Sequence, residues 1–209
     1  MPTLLHINSS PLGDASISRQ LTAEFVQNWQ RTHPGAQVIS RDLVTSDLPV
    51  ITGAWVGASF TPADARTPAQ QEVLALSDTL VAELEAADEY VFGVPMHNFT
   101  VAATLRLWID QVARAGKTFA FVDGAPVGLL KGKKATFIVA SGGVYGAGTA
   151  MASYNFVEPY LRTVFGFLGV TDTTFHAAEG VSAVNHGKID RSTFIEPHLT
   201  AIRARFQAA

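Results

Sequence analysis

The chain has 209 residues, 47% hydrophobic and 16% charged, with a formal net charge of −3. That is the size and composition of one cored globular domain, and it excludes disorder and gives no support to a nucleic-acid or anionic-membrane partner. The absence of cysteine excludes disulfides, cysteine–zinc sites and thiol nucleophiles outright.

Leu4, Leu5 and Ile7 read as a first strand, and Asn8 to Gly13 as the turn leaving it. The amino terminus has no basic region ahead of this strand, so no signal peptide is expected, and no apolar run reaches the roughly 20 residues of a membrane span. A cytoplasmic location follows as the expectation. Ser16, Ile17 and Ser18 open a helix with Leu21, Phe25 and Trp29 on one face, stopped by Pro34-Gly35. Val38 and Ile39 make a weaker second strand. Residues 45–66, with Pro49, Gly53, Gly57 and Pro62, read as a long excursion without structure of its own. Thr67-Pro68-Ala69-Gln70 is a helix start with a threonine cap, proline at the first position and glutamine three on, and Val73, Leu76, Leu80 and Leu84 supply its stripe.

Tyr90, Val91, Phe92 and Val94 form the clearest buried strand, which Pro95 is expected to end. The loop Met96-His97-Asn98-Phe99 leads to a helix carrying Leu105, Leu107, Ile109 and Val112. Phe119 to Gly128 reads as a loop or small hairpin, and Thr136 to Val139 as a fourth strand ending in Ala140-Ser141-Gly142-Gly143. A helix from about Tyr154 ends at Gly169, Thr171 to Ala177 is an edge-like fifth strand, and Arg191 to Phe206 closes the chain. No linker or repeat interrupts this series, so residues 1–209 are read as one domain.

Five strands alternating with helices define a doubly wound α/β domain. Periodicity does not fix strand order. The lack of a sixth strand and of a Gly-x-Gly-x-x-Gly after the first strand favours the flavodoxin-like five-stranded parallel order 2-1-3-4-5 with helices on both faces.

In that order the loops after strands one, three and four meet at one sheet edge. The first offers Ser9, Ser10, Ser16 and Ser18 beside a helix start, which makes a phosphate site without lysine. A plain N-cap would also place Ser16 or Ser18 there. The second offers Asn98, whose amide carries donor and acceptor to match a flat heterocycle such as an isoalloxazine, with Met96 and Phe99 as walls or as core. The third offers Gly142-Gly143, open to close approach by a ligand or simply a tight turn. No Gly-x-Ser-x-Gly elbow occurs, and the six histidines show no pair spaced i, i+4, so neither hydrolase nor helical metal site is expected.

Ser9-Ser10 with Ser16-x-Ser18, Pro95-Met96-His97-Asn98-Phe99, Val112-Ala113-Arg114-Ala115-Gly116-x-Thr118-Phe119 and Gly132-Lys133-Lys134-Ala135 running to Gly142-Gly143 carry a specific likeness. So do Glu158-Pro159-Tyr160-Leu161, Gly166-Phe167-x-Gly169-x-Thr171-Asp172 and Ala178-Glu179-Gly180. In register over essentially the whole chain, they resemble the bacterial FMN-dependent NADH-azoreductase and quinone-reductase family. The resemblance implies a homodimer with one non-covalent FMN per subunit and NADH or NADPH as donor. It implies quinones and aromatic azo compounds as acceptors in ping-pong turnover, with no protein residue required as a catalytic acid or base. It assigns Ser10, Ser16, Ile17 and Ser18 to the phosphate, Met96, His97, Asn98 and Phe99 to the ring, and Ala140, Ser141, Gly142 and Gly143 to its other side. Phe119, Phe121, Tyr145, Phe165 and Phe167 are the candidates for an acceptor pocket completed by the second subunit, with core packing as the alternative for any one of the phenylalanines. Three positions depart from the family pattern: His97 stands where tyrosine is frequent, Ser141 where arginine is frequent, and Tyr145 where some members carry histidine. The competing readings are a flavodoxin-type electron carrier without its own NAD(P)H oxidation, and a cofactor-free α/β module.

Overall fold

The computed structural model describes residues 1–207. Its central sheet runs β1 (Thr3–Asn8), β2 (Gln37–Asp42), β3 (Glu89–His97), β7 (Lys134–Ser141) and β8 (Asp172–Glu179), in the order β2-β1-β3-β7-β8 with every neighbour parallel. The short β4 (Thr100–Val101) folds back antiparallel on β3, and β5 (Phe119–Val122) with β6 (Ala125–Gly128) forms a separate hairpin. This is the expected flavodoxin-like order.

Strand alternation sorts the core into two layers. Tyr90, Phe92 and Val94 of β3 face one side with Phe137 of β7, under α3 (Pro68–Ala86), α4 (Ala103–Val112) and α5 (Val157–Leu168). Val91 and Ile138 face the other, where α1 (Ile17–Thr32) and α7 (Arg191–Ala204) cover them with Leu21, Phe25, Ile195 and Leu199. Trp29 and Trp108 are fully buried, one in each layer.

Three details differ from the sequence reading. Residues 45–66 hold a helix, α2 (Gly53–Phe60), capped by Thr52 and seated through Trp55 and Ala58 on Leu74. Gly53 and Gly57 lower its propensity and it is only eight residues long, which is why its pattern reads as loop. The buried stripe of α3 begins at Leu74, not Val73, which is exposed. Pro95 lies within β3 rather than ending it, paired beside Ala140. Pairing with β1 stops at Asn8–Gly93, so the proline's missing N–H costs no ladder bond on that side.

Arg114, from the Val-Ala-Arg-Ala-Gly stretch, is buried and ties α4 to α3. Its Nη1 donates to Asp78 Oδ1 at 2.5 Å and to Ser77 Oγ at 3.1 Å. The motif's arginine is therefore a brace between helices, while its threonine, Thr118, closes the end of α4, accepting the Arg114 N–H at 3.0 Å and donating to the Val112 carbonyl at 2.6 Å.

Candidate functional site

The carboxyl edge of the sheet opens into a cleft of about 230 Å³ lined by the loop after β1, the end of β3, the end of β7 and α6 (Val181–Asn185). Each wall follows from local chemistry.

Ser9 is pinned to β3 twice: its N–H and its Oγ both donate to the Gly93 carbonyl, at 3.2 and 2.9 Å. Gly93 permits this approach, since a Cβ there would stand 2.6 Å from Asn8 Oδ1. The chain then turns through Gly13–Ala15, a single 3₁₀ turn, into Ser16, whose extended backbone and Oγ, accepting from the Arg19 N–H at 3.3 Å, cap α1. Ser16 Oγ lies 3.1 Å from Ser18 Oγ, and Ser10, Ser16 and Ser18 are all buried. The N–H groups of Ile17 and Ser18 have no acceptor among the described residues, as expected in the first turn of a helix. Hydroxyls, free N–H groups and the positive end of α1 thus converge on one wall. Among the described residues no Asp, Glu, Lys or Arg lines the cleft. That donor set fits a phosphate held by dipoles rather than by a counter-charge.

The second wall is Pro95, Met96 and His97. Beyond it the chain reverses in two residues, Asn98 (φ 47°) and Phe99 (φ 71°), joining His97 to its partner Thr100. Two successive positive φ values are the signature of a tight hairpin turn, which asparagine accepts readily and phenylalanine does not. Phe99 is held there by Tyr154 at 5.3 Å and Tyr145 at 6.2 Å between ring centroids, and its carbonyl accepts from the Phe156 N–H at 3.1 Å. The Asn98 amide is exposed and makes no hydrogen bond among the described residues.

The third wall is Ala140, Ser141 and Gly142. Here the glycines have a structural reason: a Cβ at Gly142 would meet Ser182 Oγ at 2.9 Å, and one at Gly143 the Tyr145 ring at 3.0 Å. The Gly142 and Gly143 carbonyls accept from Ser182 and Gly180, which docks α6 on the loop and delivers Val181 and Asn185 to the cleft.

Of the expected cofactor residues, Ser10, Ser16, Ile17, Ser18, Met96, His97, Ala140, Ser141 and Gly142 come together at this cleft, while Asn98, Phe99 and Gly143 do not line it and follow the lining residues in the adjoining turns. Leu12, Ala15, Val181 and Asn185 line it as well. The signal for the last two was Gly180, a positive-φ glycine (85°) leaving a strand at the same sheet edge.

The expected acceptor pocket is not assembled here. Phe165 is fully buried, 5.1 Å from Phe92 and 4.9 Å from Phe137, and belongs to the core. Phe119, Phe121 and Phe167 cluster away from the cleft, on the β5–β6 hairpin and α5, with Phe121 66% exposed. Tyr145 lines a separate groove of about 470 Å³ with Asn155, Glu158 and Arg162. The apolar composition of these residues was legible; that they belong to three different surroundings was not.

Among the described residues no group of three or more histidine or carboxylate side chains could hold a metal ion, although the fold brings His176 Nε2 within 3.1 Å of His198 Nδ1. No helix among them is long and apolar enough to cross a membrane.

A doubly wound sheet of order 2-1-3-4-5, with a serine-rich helix start opening on a cleft at its carboxyl edge, defines a protein of the flavodoxin-like class. The Flavodoxin_2 family model, described as a flavodoxin-like fold, matches residues 2–204, and the chain belongs to that family. It is 51% identical over 203 residues to a protein of Burkholderia lata named FMN-dependent NADH:quinone oxidoreductase 3, covering 97% of this chain and 98% of the relative. It is 53% identical over 203 residues to an FMN-dependent NADH:quinone oxidoreductase of Acidobacterium capsulatum, with the same coverage. Among solved structures, an azoreductase from Bacillus anthracis superposes with a TM-score of 0.87 at 26% identity over 100% of both chains. The azoreductase AzrA superposes with a TM-score of 0.87 at 27% identity, covering 99% of this chain and 100% of that one.

Proposed function

We propose that this chain is an FMN-dependent NAD(P)H:quinone oxidoreductase that also reductively cleaves aromatic azo compounds to amines. The observation that carries the reading is its end-to-end likeness, at 51% and 53% identity, to two proteins named for the first of these activities. The likeness to two azoreductase structures supports the second.

The cleft fits the cofactor that those names give. Ser10, Ser16 and Ser18, with the free N–H groups of Ile17 and Ser18, would hold its phosphate. Met96 and His97 would line one side of its ring, with the Asn98 amide reaching a ring edge, and Ala140 to Gly143 the other. FMN, when bound, supplies the two-electron chemistry between nicotinamide and acceptor. The residues of this chain would bind it and orient it. Among the described residues His97 is the one titratable side chain on the cleft lining, and two-electron transfer through the flavin requires no protein acid or base, so protons can come from solvent. Donor and acceptor would take the same place against the ring in turn, which is the ping-pong order. The exposed Phe121 and Phe167 form an apolar surface suited to a second copy of the chain, consistent with a homodimer acting in the cytoplasm.

Steady-state assays of the FMN-loaded protein with NADH and with NADPH, against benzoquinone and an aromatic azo dye, test the proposal. Quinone-dependent nicotinamide oxidation with parallel-line kinetics is expected. A flavin-loaded protein that oxidises neither nicotinamide without an added reductase is an electron carrier, and the proposal fails.

A further inference from the structure

We propose that Arg19, locked by Asp42, is a positioning residue that makes the Ser10–Ser18 loop select a phosphate-bearing ligand. This rests on reading that loop as the phosphate subsite.

Arg19 does not line the cleft. Its backbone N–H donates to the capping Ser16 Oγ, so its side chain leaves α1 directly behind the cap. The side chain then makes three charge-assisted bonds. Nε donates to the Ser10 carbonyl at 2.8 Å, and Nη1 and Nη2 donate to the two Asp42 oxygens, both at 2.7 Å. Asp42 ends β2 and is itself fixed by the Val44 N–H at 3.1 Å. One planar guanidinium therefore joins the last residue of β2, the loop after β1 and the first turn of α1. A fork of this geometry needs arginine; lysine offers a charge without the plane.

The consequence falls on Ser10. Its residue is 1% exposed, so in this loop conformation its carbonyl depends on Arg19 for a partner. Held by Arg19, that carbonyl points away from the cleft while the Ser10 side chain stays on the lining. Released, the peptide can rotate and bring the negative end of its dipole toward the place where a phosphate sits. The exchange costs an anion and is indifferent to a ligand that lacks one. From the other side Arg191 donates to the Ala15 carbonyl at 2.9 Å, so the loop's outward carbonyls are held at both ends by guanidinium groups of the surrounding fold. The Asp42 carboxylate is held below its usual range by the hydrogen bonds from Arg19, which keeps the pair ionised at neutral pH.

The test compares FMN with riboflavin, which has the same ring system and no phosphate, by fluorescence titration of the apo full-length protein and its Arg19→Gln, Arg19→Lys and Asp42→Asn variants. Apo thermal unfolding is recorded alongside. Arg19→Gln is expected to weaken FMN binding about tenfold while riboflavin binding stays within about twofold, the size of one lost charge-assisted hydrogen bond. Arg19→Lys, which keeps the charge and loses the fork, is expected to lose part of the selectivity. Asp42→Asn, which leaves the Ser10 contact in place, should lose less than Arg19→Gln. An equal rise for both flavins, or unchanged selectivity in both Arg19 variants, would overturn the proposal and leave the phosphate reading standing. Wild-type protein that binds FMN no tighter than riboflavin would overturn the phosphate reading, and the proposal with it.

Discussion

Replacing Asn98 by glycine separates the two roles this residue carries in a single turn. Its φ of 47° lies in the left-handed region, which asparagine tolerates and glycine adopts freely. Glycine gains there and loses more entropy from the unfolded chain, by up to about 1 kcal/mol. The two effects nearly cancel, so apo stability should shift by less than about 1 kcal/mol, or about 2–4 °C in Tm for a chain this size. The amide, in contrast, makes no hydrogen bond within the protein among the described residues, so its removal takes nothing from the fold. If it meets the ring edge of FMN, its loss leaves ligand groups unpaired and costs about 1–3 kcal/mol, or roughly 5- to 150-fold in Kd. Fluorescence titration and differential scanning calorimetry on the same preparation give both numbers. An FMN affinity within about twofold of wild type, at unchanged Tm, would refute the assignment and leave Asn98 a turn residue only.

Burial, followed by the nearby Arg19, pushes the His6 pKa down to about 4, and burial, followed by His198 and Arg205, does the same for His176. The unfolded chain, with histidines at 6.5, binds more protons between these values. Stability is therefore full above pH 6.5 and falls as the pH drops toward 4, because the unfolded chain takes up protons that the folded histidines refuse. Urea unfolding across this range should slope accordingly and flatten in His176→Gln; equal slopes in the two proteins would exclude His176 as a contributor. Asp78→Ala leaves the buried Arg114 without its carboxylate and should destabilise the protein by about 3 kcal/mol in urea unfolding. A loss below about 1 kcal/mol would mean that solvent or Ser77 compensates the charge.

How much of this was legible in the sequence differs by element. The strands were readable because Tyr90, Val91, Phe92 and Val94 are buried on both faces of a parallel sheet and carry no polar alternation. The strand order was readable only by exclusion, from a missing sixth strand and a missing glycine fingerprint. The serine wall was legible because caps and anion sites use the same hydroxyls. The reading of Pro95 as a terminator went wrong because proline's cost depends on whether a neighbour needs its N–H, and β1 had already ended. For a related reason the sequence leaves the aromatic residues open between pocket and core. A phenylalanine in the core, like Phe165, and one on a hairpin, like Phe121, have the same side chain, and only tertiary packing separates them. Arg19 and Arg191 are not legible from sequence because single arginines on helices are common, and their partners Asp42 and Ala15 are distant in sequence or unremarkable in type.

The most direct test of the central claim is an anaerobic pair of half-reactions on the FMN-reconstituted protein. Addition of one equivalent of NADH should bleach the visible flavin band, and one equivalent of benzoquinone should restore it without any second protein. A flavin band that binds to the protein yet stays unbleached by NADH and NADPH would contradict the account.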